Sequence, residues 1–213
     1  MKKIRCLITA GAPREHFDPV RFISNPSSGK MGWHIANAAV NAGWQTTLVL
    51  GASNLPDIKS GKTIRVVSAQ DMLDVCQAEF NNCDILIMSA AVSDVRPKKC
   101  AKGKVKKNDI DLHPELERTP DILATLSKNR SHQILIGFAA ETNDVITYAI
   151  GKLKQKNLDA IVANDVSQQN IGFQSDLNKI DIVFADGTTV SPEIDTKENL
   201  AKIIISQAEK LLS

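Results

Sequence analysis

The strongest constraint on the fold is an alternation along the chain. Short apolar segments alternate with segments whose apolar residues recur at helical spacing. This pattern is typical of βαβ units, in which helices cover both faces of a parallel sheet. The run Ile85–Met88 is apolar at every position, as expected of a strand that is buried on both faces. The sequence therefore predicts an α/β fold with a doubly wound, mainly parallel Rossmann-like sheet, in a single domain over residues 1–213.

The predicted elements follow from the periodicity, the turn residues and the caps. A Thr119-Pro120 pair predicts a helix start, with Thr119 as the cap and Pro120 at the first helical position. Asp186-Gly187 predicts the turn of a C-terminal hairpin. In chain order we expect a strand at 4–8, helix 31–42, strands 46–50 and 64–67, helix 69–80, strand 84–88, the helix from Pro120, strand 134–138, a helix with Val145, Ile146, Ala149, Ile150 and Leu153 on its buried stripe, strand 160–163, hairpin strands 180–185 and 188–190, and helix 197–212.

The connection between the first strand and the first helix, residues 11–32, is far longer than the roughly 2–6 residues usual in such units. Gly11 suits a tight turn at its start, and Ser27-Ser28-Gly29 precedes the helix, where backbone amides favour phosphate. A structural interpretation is also open for both residues. Gly11 can simply shape the turn from strand to helix, and Asn25 can be a turn residue, because Asn-Pro commonly begins a turn. Neither a G-x-G-x-x-G motif nor a P-loop is present.

A basic insert interrupts the alternation at residues 93–118, which contain eight Lys or Arg residues, two prolines and no helical period. A run of this kind is usually a solvated loop. Beside a phosphate site, an unstructured loop that carries lysines can instead close as a flap and neutralise charge. Lys152 and Lys156 lie four residues apart, hence on one helix face, where they either bind an anion or rest their stems on apolar surface.

Polar segments follow four of the predicted strands directly. They are residues 11–32, 89–94, 139–143 and 164–167, and three acidic residues, Asp94, Glu141 and Asp165, lie in or beside them. Because the carboxyl ends of parallel strands meet at one edge of a sheet, we expect these segments to converge there and to form a ligand site.

The composition narrows the function classes. A net charge of +2 and only 4% aromatic residues argue against a protein that binds nucleic acid through bulk charge and base stacking. The four cysteines lack metal-ligand spacing, and no histidine has the partners of a nucleophilic triad. No segment has the ~20 consecutive apolar residues of a membrane span. We therefore expect a cytoplasmic protein that binds neither nucleic acid nor membrane.

Eight segments of the chain, spread from residue 8 to residue 178, resemble phosphopantothenoylcysteine synthetase (phosphopantothenate–cysteine ligase). They occur in the order and at the spacing of that family: ITAG, DPVRFISNPSSGKMG, AAVSDVRP, KVKK (104–107), TPDIL, GFAAETN, KNLDAIVANDVS and GFQSDLN. The resemblance covers the synthetase part alone, without the flavin-dependent decarboxylase domain that precedes it in many bacterial relatives.

The resemblance implies a two-step reaction. The carboxylate of 4'-phosphopantothenate attacks the α-phosphate of CTP, which gives an acyl-cytidylate and pyrophosphate, and the amine of L-cysteine then displaces CMP. It further implies Mg²⁺, no flavin, a homodimer with the flap near the subunit interface, and a separate decarboxylase that acts next in coenzyme A biosynthesis. The choice of CTP over ATP rests only on the bacterial type of the motifs.

The resemblance also implies roles for individual residues. Lys104 is expected to be the flap cation on the α-phosphate, and Asn25 the residue that holds the acyl intermediate. Arg21 and Ala91 are expected to bind substrate with Asn25. The expected nucleotide-binding residues are Gly11, Ser28, Gly29, Ala90, Asp94, Lys104, Pro120, Asp121, Ile122, Leu123, Phe138, Lys152 and Lys156.

The chain departs from the usual family pattern at a few positions, notably Ala12-Pro13, Ser93, Val95 and Thr119. None of these departures removes a group with an expected chemical role. Two alternatives from other classes are a nicotinamide-dependent reductase on the same fold and a non-catalytic nucleotide-binding module. The missing G-x-G-x-x-G motif counts against the reductase, and turnover would separate the ligase from the binding module.

Overall fold

The computed structural model describes residues 3–141, 144–165 and 175–212. Within them lie fourteen strands and five α-helices, and a 3-10 turn at Lys107–Asp109. The strands are β1 (Arg5–Ala10), β2 (Glu15–His16), β3 (Phe22–Ile23), β4 (Gln45–Leu50), β5 (Lys62–Arg65), β6 (Ile85–Met88), β7 (Val95–Pro97), β8 (Leu116–Arg118), β9 (Ile134–Glu141), β10 (Ala160–Asp165), β11 (Leu177–Asn178), β12 (Ile180–Phe184), β13 (Thr189–Val190) and β14 (Asp195–Thr196). The helices are α1 (Lys30–Asn41), α2 (Ala69–Phe80), α3 (Ile122–Lys128), α4 (Val145–Gln155) and α5 (Lys197–Leu211).

The central sheet has eight strands in the order β13-β12-β10-β9-β6-β1-β4-β5. Six of them, from β10 to β5, run parallel, and β12 and β13 complete the sheet as an antiparallel hairpin. Chain winding changes direction between β1 and β6, the switch point at which ligands bind in doubly wound sheets. The predicted fold class is confirmed.

Helices cover both faces of the sheet. On one face, α1 and α5 pack together through Ile35, Ala39 and Ile204, over the side chains of Ile8 and Leu48. On the other face, α2, α3 and α4 bury residues such as Met72, Leu126 and Leu153 against the sheet. None of the helices in the described residues has the length and apolar composition that a bilayer crossing requires.

Several predicted boundaries were wrong. Strand β5 ends at Arg65, and Val67 is 56% exposed beyond it. The cap of α3 is Asp121, not Thr119, because the Asp121 carboxylate accepts from the Ala124 amide while the Thr119 hydroxyl donates to the Ser93 carbonyl. Strands β1, β9 and β10 each extend beyond their predicted carboxyl ends. The polar segments after β9 and β10 therefore begin later than expected, while the one after β1 begins at residue 11 as predicted.

The predicted stripe of α4 was wrong in part. Ala149 and Leu153 are buried, but Ile146 and Ile150 are 43% and 37% exposed. The insert at 93–118 is not an unstructured loop either, because β7 and β8 pair as an antiparallel ladder at its base. We call the residues between these strands, 98–115, the flap.

Candidate functional site

Two glycine turns meet at the carboxyl end of β1. Gly11 and Gly29 both have positive φ, +78° and +82°, which glycine adopts without strain. A Cβ atom added at Gly29 would lie only 3.1 Å from the Gly11 Cα, so the connection between them begins and ends at one place. We call residues 11–29 the first loop. Its last residue, Gly29, is the N-cap of α1. The backbone amides of the first turn of α1 therefore lie beside the sheet edge.

Asn25 links the first loop to the segment after β6. Its Nδ2 atom donates to the carbonyl oxygens of Ala91 (3.2 Å) and Val92 (3.1 Å). The Ala91 amide in turn donates to the Gly11 carbonyl at 2.9 Å. The first two polar segments are thereby fixed to each other, and the Asn25 side chain has a defined position.

The four polar segments converge, as predicted, within the described residues. They line a cavity of about 270 Å³, which we call the first cavity. Of the residues with expected roles, the first cavity brings together Asn25, Ser28, Gly29, Ala90, Ala91, Asp94, Phe138 and Lys152. Thr142, Asn143 and residues 166–174 lie outside the described residues, as do the side chains of Glu141 and Asp165.

A second cavity of about 320 Å³ adjoins the first and shares Ala90, Val92, Asp94 and Phe138 with it. The remaining expected nucleotide-binding residues of α3, together with Lys156, line this second cavity: Pro120, Asp121, Ile122 and Leu123. Lys156 is the C-cap of α4, and its amide still donates to the Lys152 carbonyl at 2.9 Å. The two lysines nevertheless line different cavities, Lys152 the first and Lys156 the second.

Asp121 is already engaged in this second cavity. Its carboxylate accepts from the Ala124 amide (3.0 Å) and forms an ion pair with Lys156 (3.0 Å). Burial acts to raise the pKa of Asp121, but the Ala124 amide and the Lys156 ammonium outweigh it and lower that pKa. Because Asp121 satisfies an amide of the first turn itself, α3 offers fewer donors to a phosphate than the sequence suggested.

The flap is anchored to the first loop by Asp18, whose side chain is fully buried. Its carboxylate accepts from the Val20 and Arg21 amides at 2.8 and 2.9 Å and from the Val105 amide at 3.2 Å. These backbone donors, Val20 foremost, hold the pKa of Asp18 below its usual value. Arg21 reinforces the link, since its guanidinium donates both to Asp18 and to the Val105 carbonyl, each at 3.0 Å.

Three residues with expected roles do not line the first two cavities. Gly11 is the first residue of the first loop, where its positive φ shapes the turn. Arg21 lines a separate space of about 840 Å³ between the first loop and the flap. Lys104 is exposed on the flap, one residue before the anchored Val105.

Among the residues of the first cavity to which the sequence analysis assigned no role, four have charged or amide side chains. They are Lys30, Asn164, Asn178 and Lys197. Lys30 and Asn178 fall in quoted motifs, and Asn164 lies in a polar segment. No signal identified Lys197, because nothing in the sequence places the start of the last helix beside the start of the first. Burial, assisted by the nearby Lys30 ammonium, lowers the pKa of Lys197 to about 8, against the opposing effect of Asp176.

The donor set around the first cavity bears on Mg²⁺. The described residues contain no cluster of three or more His, Cys, Asp or Glu side chains that would hold a metal. Asp94 is the carboxylate that lines both cavities, while Asp121 is paired with Lys156. This arrangement fits Mg²⁺ that is bound mainly by substrate phosphates and water, with one carboxylate in support.

Comparison with known proteins gives a consistent result. A family model described as "DNA/pantothenate metabolism flavoprotein C-terminal domain" matches residues 1–212. The coenzyme A biosynthesis bifunctional protein CoaBC of Bacillus subtilis is 47% identical over 182 residues, which are 85% of this chain and 45% of that protein. Its counterpart in Vibrio vulnificus is 43% identical over 209 residues, 97% of this chain and 52% of that protein.

The chain thus spans about half the length of the curated relatives it matches. A crystal structure of the C-terminal domain of CoaBC matches with a TM-score of 0.85 at 42% identity, and the match covers 100% of this chain and 97% of that domain. The similarity therefore extends over the whole sheet, the first loop and the flap.

Proposed function

The chain belongs to the family of the DNA/pantothenate metabolism flavoprotein C-terminal domain, and from this premise we propose that it is a phosphopantothenate–cysteine ligase. In the proposed reaction it joins L-cysteine to 4'-phosphopantothenate in coenzyme A biosynthesis. The observation that carries the proposal is the first cavity, where Asn25, Asp94 and Lys152 come together from three separate segments. The names of the CoaBC relatives, which are coenzyme A biosynthesis proteins, support it.

The first step brings a carboxylate and a triphosphate together, and both are anions. The carboxylate oxygen attacks the α-phosphorus, and pyrophosphate leaves. Cations and amides at fixed positions reduce the repulsion between the two substrates and stabilise the charge that develops. Lys152 and the amides at the start of α1 supply such groups in the cavity. We assign Lys104 to the α-phosphate after flap closure.

In the second step, the cysteine amine attacks the acyl carbon and the nucleoside monophosphate leaves with the bonding electrons. Asn25 is positioned to hold the acyl intermediate, because its Nδ2 atom is fixed by Ala91 and Val92 at the cavity. A water-excluding flap would protect the activated acyl group from hydrolysis. Arg21 and Ala91 complete the proposed substrate-binding set.

The nucleoside belongs, in this proposal, where the two cavities join. Asp94 and Phe138 line both cavities and would contact the ribose and the base. Only the bacterial type of the motifs favours CTP over ATP as the nucleotide. Mg²⁺, when bound with the nucleotide, would neutralise phosphate charge.

Several further properties belong to the proposal. Neither step transfers electrons, so the reaction needs no flavin. The product keeps the carboxylate of cysteine, which a separate decarboxylase would remove next. We place the reaction in the cytoplasm and the protein in a homodimer.

The deciding experiment measures pyrophosphate release by the purified protein with 4'-phosphopantothenate, Mg²⁺ and either CTP or ATP. We expect release with CTP, strictly dependent on 4'-phosphopantothenate, and the appearance of 4'-phosphopantothenoylcysteine once L-cysteine is added. Release with neither nucleotide would defeat the ligase proposal. Release with ATP but not with CTP would keep the ligase and overturn the choice of nucleotide.

A further inference from the structure

Two helix N-termini lie side by side at the first cavity. Helix α1 begins at Lys30 and α5 at Lys197, and the two helices pack against each other on one face of the sheet. Both lysines line the cavity. Helix N-termini carry partial positive charge from their unpaired amides. At the start of α1 the Ser28 hydroxyl accepts from the Lys30 amide at 3.4 Å. The start of α5 is capped more fully, because the Thr196 hydroxyl accepts from the Asn199 amide and the Asp176 carbonyl accepts from the Lys197 amide.

Lys197 is an unusual residue to find in this position. It is 3% exposed, whereas lysine is almost never fully buried without a reason. Its neighbour Lys30 forms an ion pair with Asp176 at 2.6 Å, and the Asp176 side chain is 80% exposed to solvent. The lowered pKa of Lys197 shows that burial disfavours its charged form, which a bound anion would stabilise.

Two amide side chains in the same place have buried oxygen atoms without a hydrogen-bond partner among the described residues. Asn178 is 1% exposed, and its Oδ1 atom has no hydrogen-bond partner among the described residues. The buried Oδ1 atom of Asn164 likewise has none there. Both residues line the first cavity. Buried polar atoms are nearly always hydrogen-bonded, and rotation of an amide by half a turn presents its NH₂ group instead.

These residues occupy the part of the first cavity that the second cavity does not share. Lys30, Asn178 and Lys197 line only the first, whereas Asp94 and Phe138 line both. A nucleoside held where the cavities join can extend its phosphates into this part of the first cavity, toward Lys30 and Lys197. The amides at the start of α1 and the ammonium groups of Lys30 and Lys197 suit an anion with more than one phosphate.

We propose that Lys197, together with Lys30 and Asn178, forms a subsite for the terminal two phosphates of the nucleoside triphosphate, the pyrophosphate that leaves in the first step. This inference rests on the proposed function and names a part of its site. In that step a bond forms between the carboxylate oxygen and the α-phosphorus. The bond from the α-phosphorus to the oxygen that bridges to the β-phosphorus breaks, and its electron pair stays on the pyrophosphate. The cations stabilise the negative charge that the leaving group gains.

The test measures binding of pyrophosphate alone and of CMP alone, each with Mg²⁺, by calorimetry on the full chain. Lys197→Met keeps the length of the buried side chain and removes its charge. We expect pyrophosphate to bind at least about tenfold more weakly to this variant, the effect of one lost charge-assisted hydrogen bond, and CMP to bind as in the parent protein. The matched control is Lys202→Met, a 57% exposed lysine of the same helix paired with Glu198.

Asn178→Leu is the second variant and decides the question if Lys197→Met does not fold. It should also weaken pyrophosphate binding and leave CMP binding unchanged. Unchanged pyrophosphate affinity in the folded variants, or equal losses for pyrophosphate and CMP, would overturn the subsite. Pyrophosphate release by the parent protein is assayed separately. Turnover with unaltered pyrophosphate binding in the variants would refute the subsite alone, and absence of turnover would refute the ligase.

Discussion

Asn25 donates from its Nδ2 atom to the Ala91 and Val92 carbonyls, so its side chain has a fixed place in the first cavity. If it holds the acyl intermediate, its loss should affect the second step more than the first. We predict that Asn25→Ala still releases pyrophosphate but lets the acyl-nucleotide accumulate or escape. Chromatography of reactions stopped before and after L-cysteine addition would detect this. The exposed Asn82→Ala serves as the control, and normal partitioning of the intermediate in Asn25→Ala would refute the role.

Lys104 is exposed on the flap and lines neither of the first two cavities, and in the proposed mechanism it reaches the α-phosphate when the flap closes. We predict that Lys104→Ala slows pyrophosphate release by ~10²-fold or more, the scale of losing one preorganised charge contact. Rapid-mixing measurement of the first step checks this. Lys102→Ala, at another exposed position on the flap, should leave the rate of pyrophosphate release nearly unchanged. Near-normal release in Lys104→Ala would remove this residue from the mechanism.

At the scale of elements, the flap and the first loop are joined through Asp18. Asp18→Asn removes the negative charge that the Val20, Arg21 and Val105 amides share. We predict several-fold faster hydrogen exchange in flap peptides that contain Val105, measured by mass spectrometry. Asp57→Asn, which loses the surface pair with Arg65, should leave those peptides unchanged. Unaltered flap exchange in Asp18→Asn would show that other contacts hold the flap.

The pH dependence of this anchor has a definite sign. The folded pKa of Asp18 is lower than its unfolded value, so the contribution is fully present above the ordinary value of about 3.9. It is lost as the pH falls through the lowered pKa. The flap should therefore stay anchored at neutral pH and loosen only in acid.

Helix α1 approaches β1 closely at Gly32. A Cβ atom there would lie 2.6 Å from the Ala10 Cβ and 2.9 Å from the Thr9 carbonyl oxygen. We predict that Gly32→Ala lowers the free energy of unfolding by about 1–3 kcal/mol, the usual cost of overpacking. Urea denaturation measures it. Gly151→Ala in α4, where an added Cβ meets no described atom within 4 Å, should be neutral or stabilising by up to about 1 kcal/mol. Equal stability of the two variants would contradict this account.

For the whole molecule, the exposed apolar side chains of the first loop, the flap and β8 favour the proposed homodimer. Val20, Phe22, Leu112 and Leu116 are between 40% and 82% exposed. We predict a mass of two chains in light scattering, and a shift toward one chain in Leu116→Asp, since a buried charge disfavours the interface. Ile194→Asp, at a similarly exposed position before β14, is the control. A one-chain mass for the parent protein would refute the dimer.

The sequence predicted the sheet because strands such as Ile85–Met88 are apolar throughout and are separated by helical periods. It also predicted the first cavity, since strand ends meet at one edge. It failed where tertiary contacts decide the outcome. Asp121 rather than Thr119 caps α3 because Thr119 bonds to Ser93, and Lys197 reaches the cavity only because α5 packs beside α1. Neither contact leaves a periodic or compositional signal.

The close approach of Gly11 and Gly29 has a consequence for how such chains can diverge. The first loop leaves the sheet edge and returns to it at nearly the same point. Its tip near Pro19 and Val20 can therefore lengthen or shorten without displacing β1 or α1. Substrate preference could therefore change through substitutions in the first loop while β1 and α1 keep their positions. A side chain larger than hydrogen at Gly11 or Gly29 would instead separate the two ends of the first loop.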